Sequence, residues 1–199
     1  MYVHFFKRVF DIFFSICALP LLIIAFFIFG PLIYFEDKSN IFYKANRIAK
    51  GGKQFYMFKF RTMKLDAPDI RLEDGSTYNN IDDFRLTKIG KFLRKNSIDE
   101  LPQIINVFLG EMSLIGPRPD PIDWLERYTE EQRIILNVRP GITGYNQAFF
   151  RNNADGKMKL VNDVYYANNI SFLLDIKIFC KTIKTVINKE NINVNFERK

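Results

Sequence analysis

Asp99 and Glu100 stand side by side in NSIDELPQIINVFLGEMSLIGPRP (96–119), where an amphipathic run begins. The same stretch ends with Arg118 held between two prolines. One reading of the pair is structural. Ser97-Ile98-Asp99-Glu100 fits the capping box, in which the glutamate reaches back to the cap amide. In that register Pro102 falls inside the helix, where its ring and missing N–H are costly. A helix starting at Asp99 instead puts Pro102 in the first turn. Asp99 then lies at the positive end of the helix dipole, among free N–H groups that keep it ionised and favour an approaching phosphate. An ionised carboxylate there can attack phosphorus or bind a divalent cation. From these residues alone, cap and reacting centre both stand.

The cations around the pair narrow the chemistry. GPRP (116–119) and RPG (139–141) hold Arg118 and Arg139 on stiff turns, which lowers the entropy lost when a guanidinium clamps a phosphate. Lys59, Arg94 and Arg151 add further positive charge, although each taken singly reads as a solvated surface group. The only histidine is His4. That argues against a Ser–His or Cys–His nucleophile and against a His-ligated zinc site. Carboxylates, arginines and an oxygen-bound hard cation together indicate phosphoryl chemistry.

These groups need a scaffold, and 199 residues suffice for one domain with a sizeable core plus an extra segment. The chain is 48% hydrophobic with 21 Phe, so it is not disordered. Its formal charge of +7 implies an anionic partner: nucleic acid, phosphorylated substrate or acidic lipid. Cys17 and Cys180 lie far apart and form no disulfide framework, which favours a reducing compartment. Residues 9–35 carry a single charge, Asp11, and are long enough to enter a membrane. Basic residues flank both ends, which places both on the cytoplasmic side. With Pro20 in the middle, the expectation is a re-entrant helix–break–helix, a simple span being the alternative.

Downstream, IFYKA (41–45) and KQFYMFKF (53–60) read as aromatic strands joined by a KGG turn. Residues 66–84 read as a polar surface loop. TKIGKFLRK predicts a helix capped by Thr87. Leu101, Ile104, Ile105 and Phe108 predict another, closed by Gly110. PIDWLERYTEEQRIILNV predicts a longer helix. FLLDIKIFCKTIKTVINK predicts a basic amphipathic one that either lies on an anionic membrane or packs into the core.

At this point the chain resembles the bacterial monotopic phosphoglycosyl transferases, the bacterial sugar transferase domain. The resemblance is carried by KRVFDI (7–12), KFRTM (59–63), GKFLR (90–94), the block 97–119, RPGITG (139–144), Gln147 with RN (151–152), and DVYYANNISFLLDIKI (163–178). It implies a mostly helical α+β protein with a membrane-embedded part, 1–36, and a cytoplasmic catalytic domain, 37–199. The site would lie on the cytoplasmic face of the bacterial inner membrane. The implied reaction moves a sugar-1-phosphate from a UDP-sugar to polyprenyl (undecaprenyl) phosphate with release of UMP. By resemblance Asp99 is the nucleophile, Glu100 handles metal or proton, and both lie at Mg²⁺. Asp163 belongs to the same site; Lys59, Arg94, Arg118 and Arg151 bind phosphate, and Gln147 binds substrate. Anionic lipids are expected partners, nucleic acid is not, and a homodimer is left open. AFF after Gln147 and NADGKMKL (153–160) depart from the family pattern, so the usual sugar is not assumed. The competing readings are a membrane-tethered nucleic-acid-binding scaffold and a non-catalytic polyprenyl-phosphate binder. Against the first, the basic residues are scattered and no nucleic-acid motif occurs.

Overall fold

In the computed structural model, residues 2–71, 78, 80, 82–150 and 156–188 are described. Arg151 and the start of the 153–160 stretch lie outside them. After a π-helical turn, Tyr2–Phe6, the chain forms one long helix, α1 (Lys7–Asp37). By length and composition α1 could cross a membrane. It runs unbroken through Pro20 and Pro31, so the expected helix–break–helix is one continuous helix whose 31 residues rise about 45 Å along its path. Each proline costs about 3 kcal/mol in a helix interior. Burial of Leu22, Ala25 and Ile33 of this helix in one cluster with Phe60 and Leu93 offsets this, since burying one leucine contributes about 1.5–3 kcal/mol.

One stripe of α1, including Asp11, Ser15, Leu22, Ala25 and Ile33, is buried against the rest of the chain. The opposite face leaves Phe13, Ile16, Leu21, Ile24, Phe27 and Phe35 exposed. Polar bonds tie both ends to the same body. Arg8 donates to the carbonyls of Val107 and Phe108 at 2.6 and 2.9 Å. Asp11 accepts from the Ser113 hydroxyl and the Leu114 N–H at 3.0 and 2.9 Å. At the far end Asp37 takes both Nη groups of Arg61, and Glu36 accepts from the N–H groups of Lys88 and Ile89.

Strands β1 (Phe42–Ile48) and β2 (Gln54–Phe60) form the expected antiparallel hairpin, Phe42 opposite Phe60 and Ile48 opposite Gln54. Gly51 and Gly52 supply the left-handed turn at φ 78° and 73°. Helix α2 (Lys88–Lys95) starts at Thr87, whose hydroxyl accepts from the Gly90 N–H at 2.9 Å. Helix α3 (Gln103–Leu109) ends at Gly110, φ 89°. The Asn106 amide docks α3 onto β2, accepting from Phe58 N–H at 2.9 Å and donating to Tyr56 O at 2.8 Å. This holds the α3 region against the strand that carries Lys59.

Strands β3 (Ser113–Ile115) and β4 (Gly141–Thr143) pair in parallel, which brings the two arginine–proline turns together. The approach is backbone against backbone. A Cβ on Gly116 would sit 2.3 Å from Arg139 O, and one on Gly141 would sit 2.1 Å from Gly116 N. Only glycine fits at either place.

The long helix predicted over 121–138 is instead two 3₁₀ turns, Ile122–Arg127 and Gln132–Asn137. Thr129 and Gln132 exchange side-chain-to-backbone hydrogen bonds that start a new turn, and Tyr128 is extended. Helices α4 (Tyr145–Phe149), α5 (Gly156–Asn168) and α6 (Phe172–Ile187) complete the described chain. On α6, the apolar stripe Phe172, Ile176, Phe179 and Ile183 is exposed, while Asp175, Ile178 and Thr185 are buried. Phe172 stacks on Phe10 of α1 at 5.9 Å, so the exposed apolar faces of the two helices are continuous. The fold class is α+β and mostly helical, as expected. Both cysteines are free.

Candidate active site

The pair Asp99-Glu100 does not open an α-helix. Ser97 is left-handed at φ 56° and makes no cap bond, Ile98–Glu100 is a 3₁₀ turn, and Pro102 occupies the cap position of α3. The capping box is therefore absent: a left-handed Ser97 aims its hydroxyl away from the amide it would cap. The turn presents the two carboxylates differently. Asp99 is buried, and its carboxylate accepts no hydrogen bond among the described residues; the nearest ion-pair partner is Lys59 Nζ at 3.9 Å. Glu100 Oε1 takes Lys59 Nζ at 2.8 Å and Arg118 Nη2 at 2.6 Å.

These environments separate the two acids. Burial pushes the Asp99 carboxyl up from its ordinary value; Lys59 opposes this and Glu100 adds to it. Burial would raise Glu100 as well, but Arg118 and Lys59 overcome it and hold its carboxyl well below the usual range. The expectation that helix N–H groups keep Asp99 ionised is thus overturned: burial raises its carboxyl, and it is Lys59, Arg94 and Arg118 that oppose the rise. Glu100 is a fixed negative charge that aligns two cations, and Asp99 is a more basic carboxylate next to them. A carboxylate of raised basicity with no hydrogen bond to break is a better nucleophile than an ordinary aspartate.

Arg94, on α2, also faces this site; its Nε donates to Thr62 Oγ1 at 3.0 Å and its charge acts on Asp99. The strand β2 supplies Lys59 and the segment after β3 supplies Arg118, so four parts of the sequence converge. Arg139, read as a second stiff phosphate clamp, goes elsewhere. Its Nε donates to Gly110 O at 2.9 Å and helps close α3.

Asp163 forms a separate buried cluster. Lys159 Nζ bridges Asp120 Oδ2 and Asp163 Oδ2, at 2.8 Å each, and the Tyr128 hydroxyl donates to Asp120 Oδ2 at 2.7 Å. Burial pushes Asp163 up to about 6, with Lys159 opposing. The cluster backs the turn that carries Arg118; Asp163 makes no direct bond to Asp99 or Glu100. Its Oδ1 is buried without a partner among the described residues, as are both amide atoms of Gln147 on α4. Lys159 and Asp120 were not singled out in the sequence. The i,i+4 spacing of Lys159 and Asp163 was the available signal.

The order of these pieces along the chain matches a known family: the bacterial sugar transferase profile covers residues 2–189. The chain belongs to that family. This sugar transferase is 42% identical over 189 residues to the uncharacterized sugar transferase EpsL of Bacillus subtilis, covering 94% of this chain and 89% of EpsL. It is 36% identical over 204 residues to the undecaprenyl-phosphate galactose phosphotransferase of Salmonella typhimurium, covering 94% of this chain and 41% of that one. It is also 36% identical over 189 residues to a UDP-N-acetylgalactosamine-undecaprenyl-phosphate N-acetylgalactosaminephosphotransferase of Aeromonas hydrophila, covering 92% of this chain and 44% of that one. The sugar transferase thus spans less than half of the latter two relatives and nearly all of the first.

Proposed function

We propose that this sugar transferase moves a sugar-1-phosphate from a UDP-sugar to polyprenyl phosphate. The observation that carries the reading is Asp99: a buried carboxylate that accepts no hydrogen bond among the described residues, beside Lys59, Arg94 and Arg118. Asp99 attacks the sugar-bearing phosphorus of the donor, the bond to the bridging oxygen breaks, and its electron pair leaves on UMP. The phosphate oxygen of the polyprenyl acceptor then attacks the same phosphorus and releases Asp99. The leaving group is a phosphate, so charge neutralisation matters more than protonation. The relatives named for undecaprenyl phosphate support the acceptor.

Magnesium is part of the proposal. Glu100 Oε2 accepts no hydrogen bond among the described residues, nor does Asp99. Two carboxylates are too few for an all-protein site, and among the described residues no cluster of three metal-binding side chains occurs. They suit Mg²⁺, which commonly takes one or two carboxylates and completes its shell with substrate phosphate and water. Asp99 and Glu100 would hold it, and bound there it neutralises diphosphate charge.

We also propose that α1 stays on one face of the inner membrane, the cytoplasmic one. Arg8 and Asp11 at one end and Glu36 and Asp37 at the other bond the same body, which a straight span could not allow. The exposed apolar faces of α1 and α6 would then enter the lipid, with Lys181 and Lys184 toward anionic headgroups. In a Cys17→Ser, Cys180→Ser background, single cysteines at Val3 and Lys38 should both label from the cytoplasmic side. Labelling from opposite faces would sink this seating.

The reaction is tested by UMP release from a panel of UDP-sugars with undecaprenyl phosphate and Mg²⁺ in the purified full chain. One or more sugars should give UMP. For that sugar kcat/KM should fall as pH drops through the raised Asp99 value, because the protonated acid cannot attack. An acid limb in the ordinary range of exposed carboxylates would remove Asp99 from the role.

A further inference from the structure

Arg47, on β1, is a half-buried cation outside the groups considered so far. No hydrogen bond or ion pair reaches its guanidinium from the described residues, and its Nε is buried. Nearly all buried polar groups in proteins have a partner, so an orphaned cationic N–H needs an explanation.

The backbone fixes where this guanidinium stands. Ile48 N–H donates to Asp120 O at 3.0 Å, and Arg47 forms an antiparallel bridge with Pro121. Strand β1 therefore runs beside the segment that carries Arg118. After burial, the leading influence on Arg47 is the like charge of Arg118. Asp120, the carboxylate on that side, is already engaged, because its Oδ2 takes the Tyr128 hydroxyl and the Lys159 ammonium. Arg118 itself is held by Glu100, to whose Oε1 it donates at 2.6 Å. Two guanidiniums that act on each other, one with no ion pair among the described residues, are mutually repulsive until an anion with several acceptor oxygens joins them. A phosphate group has the charge and the oxygens to do so.

We infer that Arg47 and Arg118 together clamp a phosphate of the nucleoside diphosphate donor. In the reaction proposed above, Arg118 bonds Glu100 of the reacting pair, and the clamp holds the departing nucleoside monophosphate. As the bond to the bridging oxygen breaks, charge grows on that phosphate, where the two guanidiniums bind it. The identity of the phosphate's bearer rests on the transferase reading; the anion site rests on the geometry of Arg47.

The test titrates UDP, inorganic diphosphate and uridine, each with Mg²⁺, into the detergent-solubilised full chain and into Arg47→Met, which keeps the unbranched stem. Affinity for UDP and diphosphate should fall about tenfold or more, which is about 1.4 kcal/mol, with uridine binding unchanged. An Arg47→Met protein of unchanged melting temperature that binds diphosphate like the wild type would overturn the clamp. Should that variant not fold, the wild type decides. Phenylglyoxal modification of Arg47, read by peptide mass, should be slowed by diphosphate; an equal rate with and without it also overturns the clamp. If the wild type releases no UMP from any UDP-sugar, the transferase reading fails, while the diphosphate titration still reports on the anion site.

Discussion

Asp99→Asn abolishes UMP release, with a loss of about 10⁴-fold or more, the scale expected when a covalent nucleophile is removed. The amide has the shape of the carboxylate but no charge with which to attack phosphorus. Folding should be preserved. Asp99 makes no hydrogen bond among the described residues, and burial already disfavours its charged form, so a neutral isostere removes a desolvation cost. The variant should melt no earlier than the wild type. Intact-mass measurement after mixing with donor alone should show a sugar-phosphate adduct on the wild type and none on Asp99→Asn. Substantial turnover by the variant would take the nucleophile away from Asp99 and leave Glu100 as the remaining carboxylate of the pair.

Lys159→Met destabilises the fold by about 3–5 kcal/mol, the range for removing one partner of a buried ion pair. Asp163 and Asp120 have side chains only 1% and 8% exposed, and the ammonium is the cation they share. Methionine fills most of the space but leaves two carboxylates facing one another. The loss carries a pH signature. Asp163 titrates at about 6 even with Lys159 present, and without the lysine it must hold its proton to higher pH. The protonated form relieves the repulsion, so the variant should recover stability as pH falls through that higher value and be weakest in alkali. Chemical denaturation at pH 5 and pH 8 reads this directly. A pH-independent loss would assign the effect to packing alone. Because Asp120 follows the Arg118 turn by two residues, weakened donor binding should accompany the loss.

Much of the site was legible from residue types. Lys59, Arg94 and Arg118, named with Asp99 and Glu100 before any geometry, do converge. Short motifs made this visible: proline-locked arginine, adjacent carboxylates and a lone histidine far from them in the chain, His4, each constrain the chemistry without reference to contacts. What misled was local pattern where tertiary contacts override it. The sequence S-I-D-E has the letters of a capping box, but a left-handed Ser97 cannot cap. The 121–138 stretch has helical periodicity, but the Tyr128 hydroxyl reaches Asp120 and the Thr129–Gln132 exchange breaks the run. Arg139 looks like the twin of Arg118, yet it closes α3 because β3 and β4 pair in parallel.

The membrane helix divides in the same way. Its length and apolarity were plain in the sequence, and so was the basic charge at both flanks. Whether Pro20 breaks it depends on what the helix packs against further along, and Leu22, Ala25 and Ile33 are buried with Phe60 and Leu93 while the helix runs through. The exposed apolar stripe of α6 was ambiguous because periodicity identifies a face without saying what covers it.

By itself the sequence determined the inventory of this protein: an apolar anchor, a carboxylate pair, a set of cations and the turns that stiffen them. These follow from side-chain chemistry and short-range sterics, which act within a few residues. Only the tertiary structure decided that Glu100 would hold the cations while Asp99 accepts no hydrogen bond among the described residues. It also decided that Lys159 would join Asp120 to Asp163, and that the strand carrying Arg47 would run beside the Arg118 segment. Charges and burial depend on distance through space, and that distance is set by strands and helices meeting from far apart in the chain.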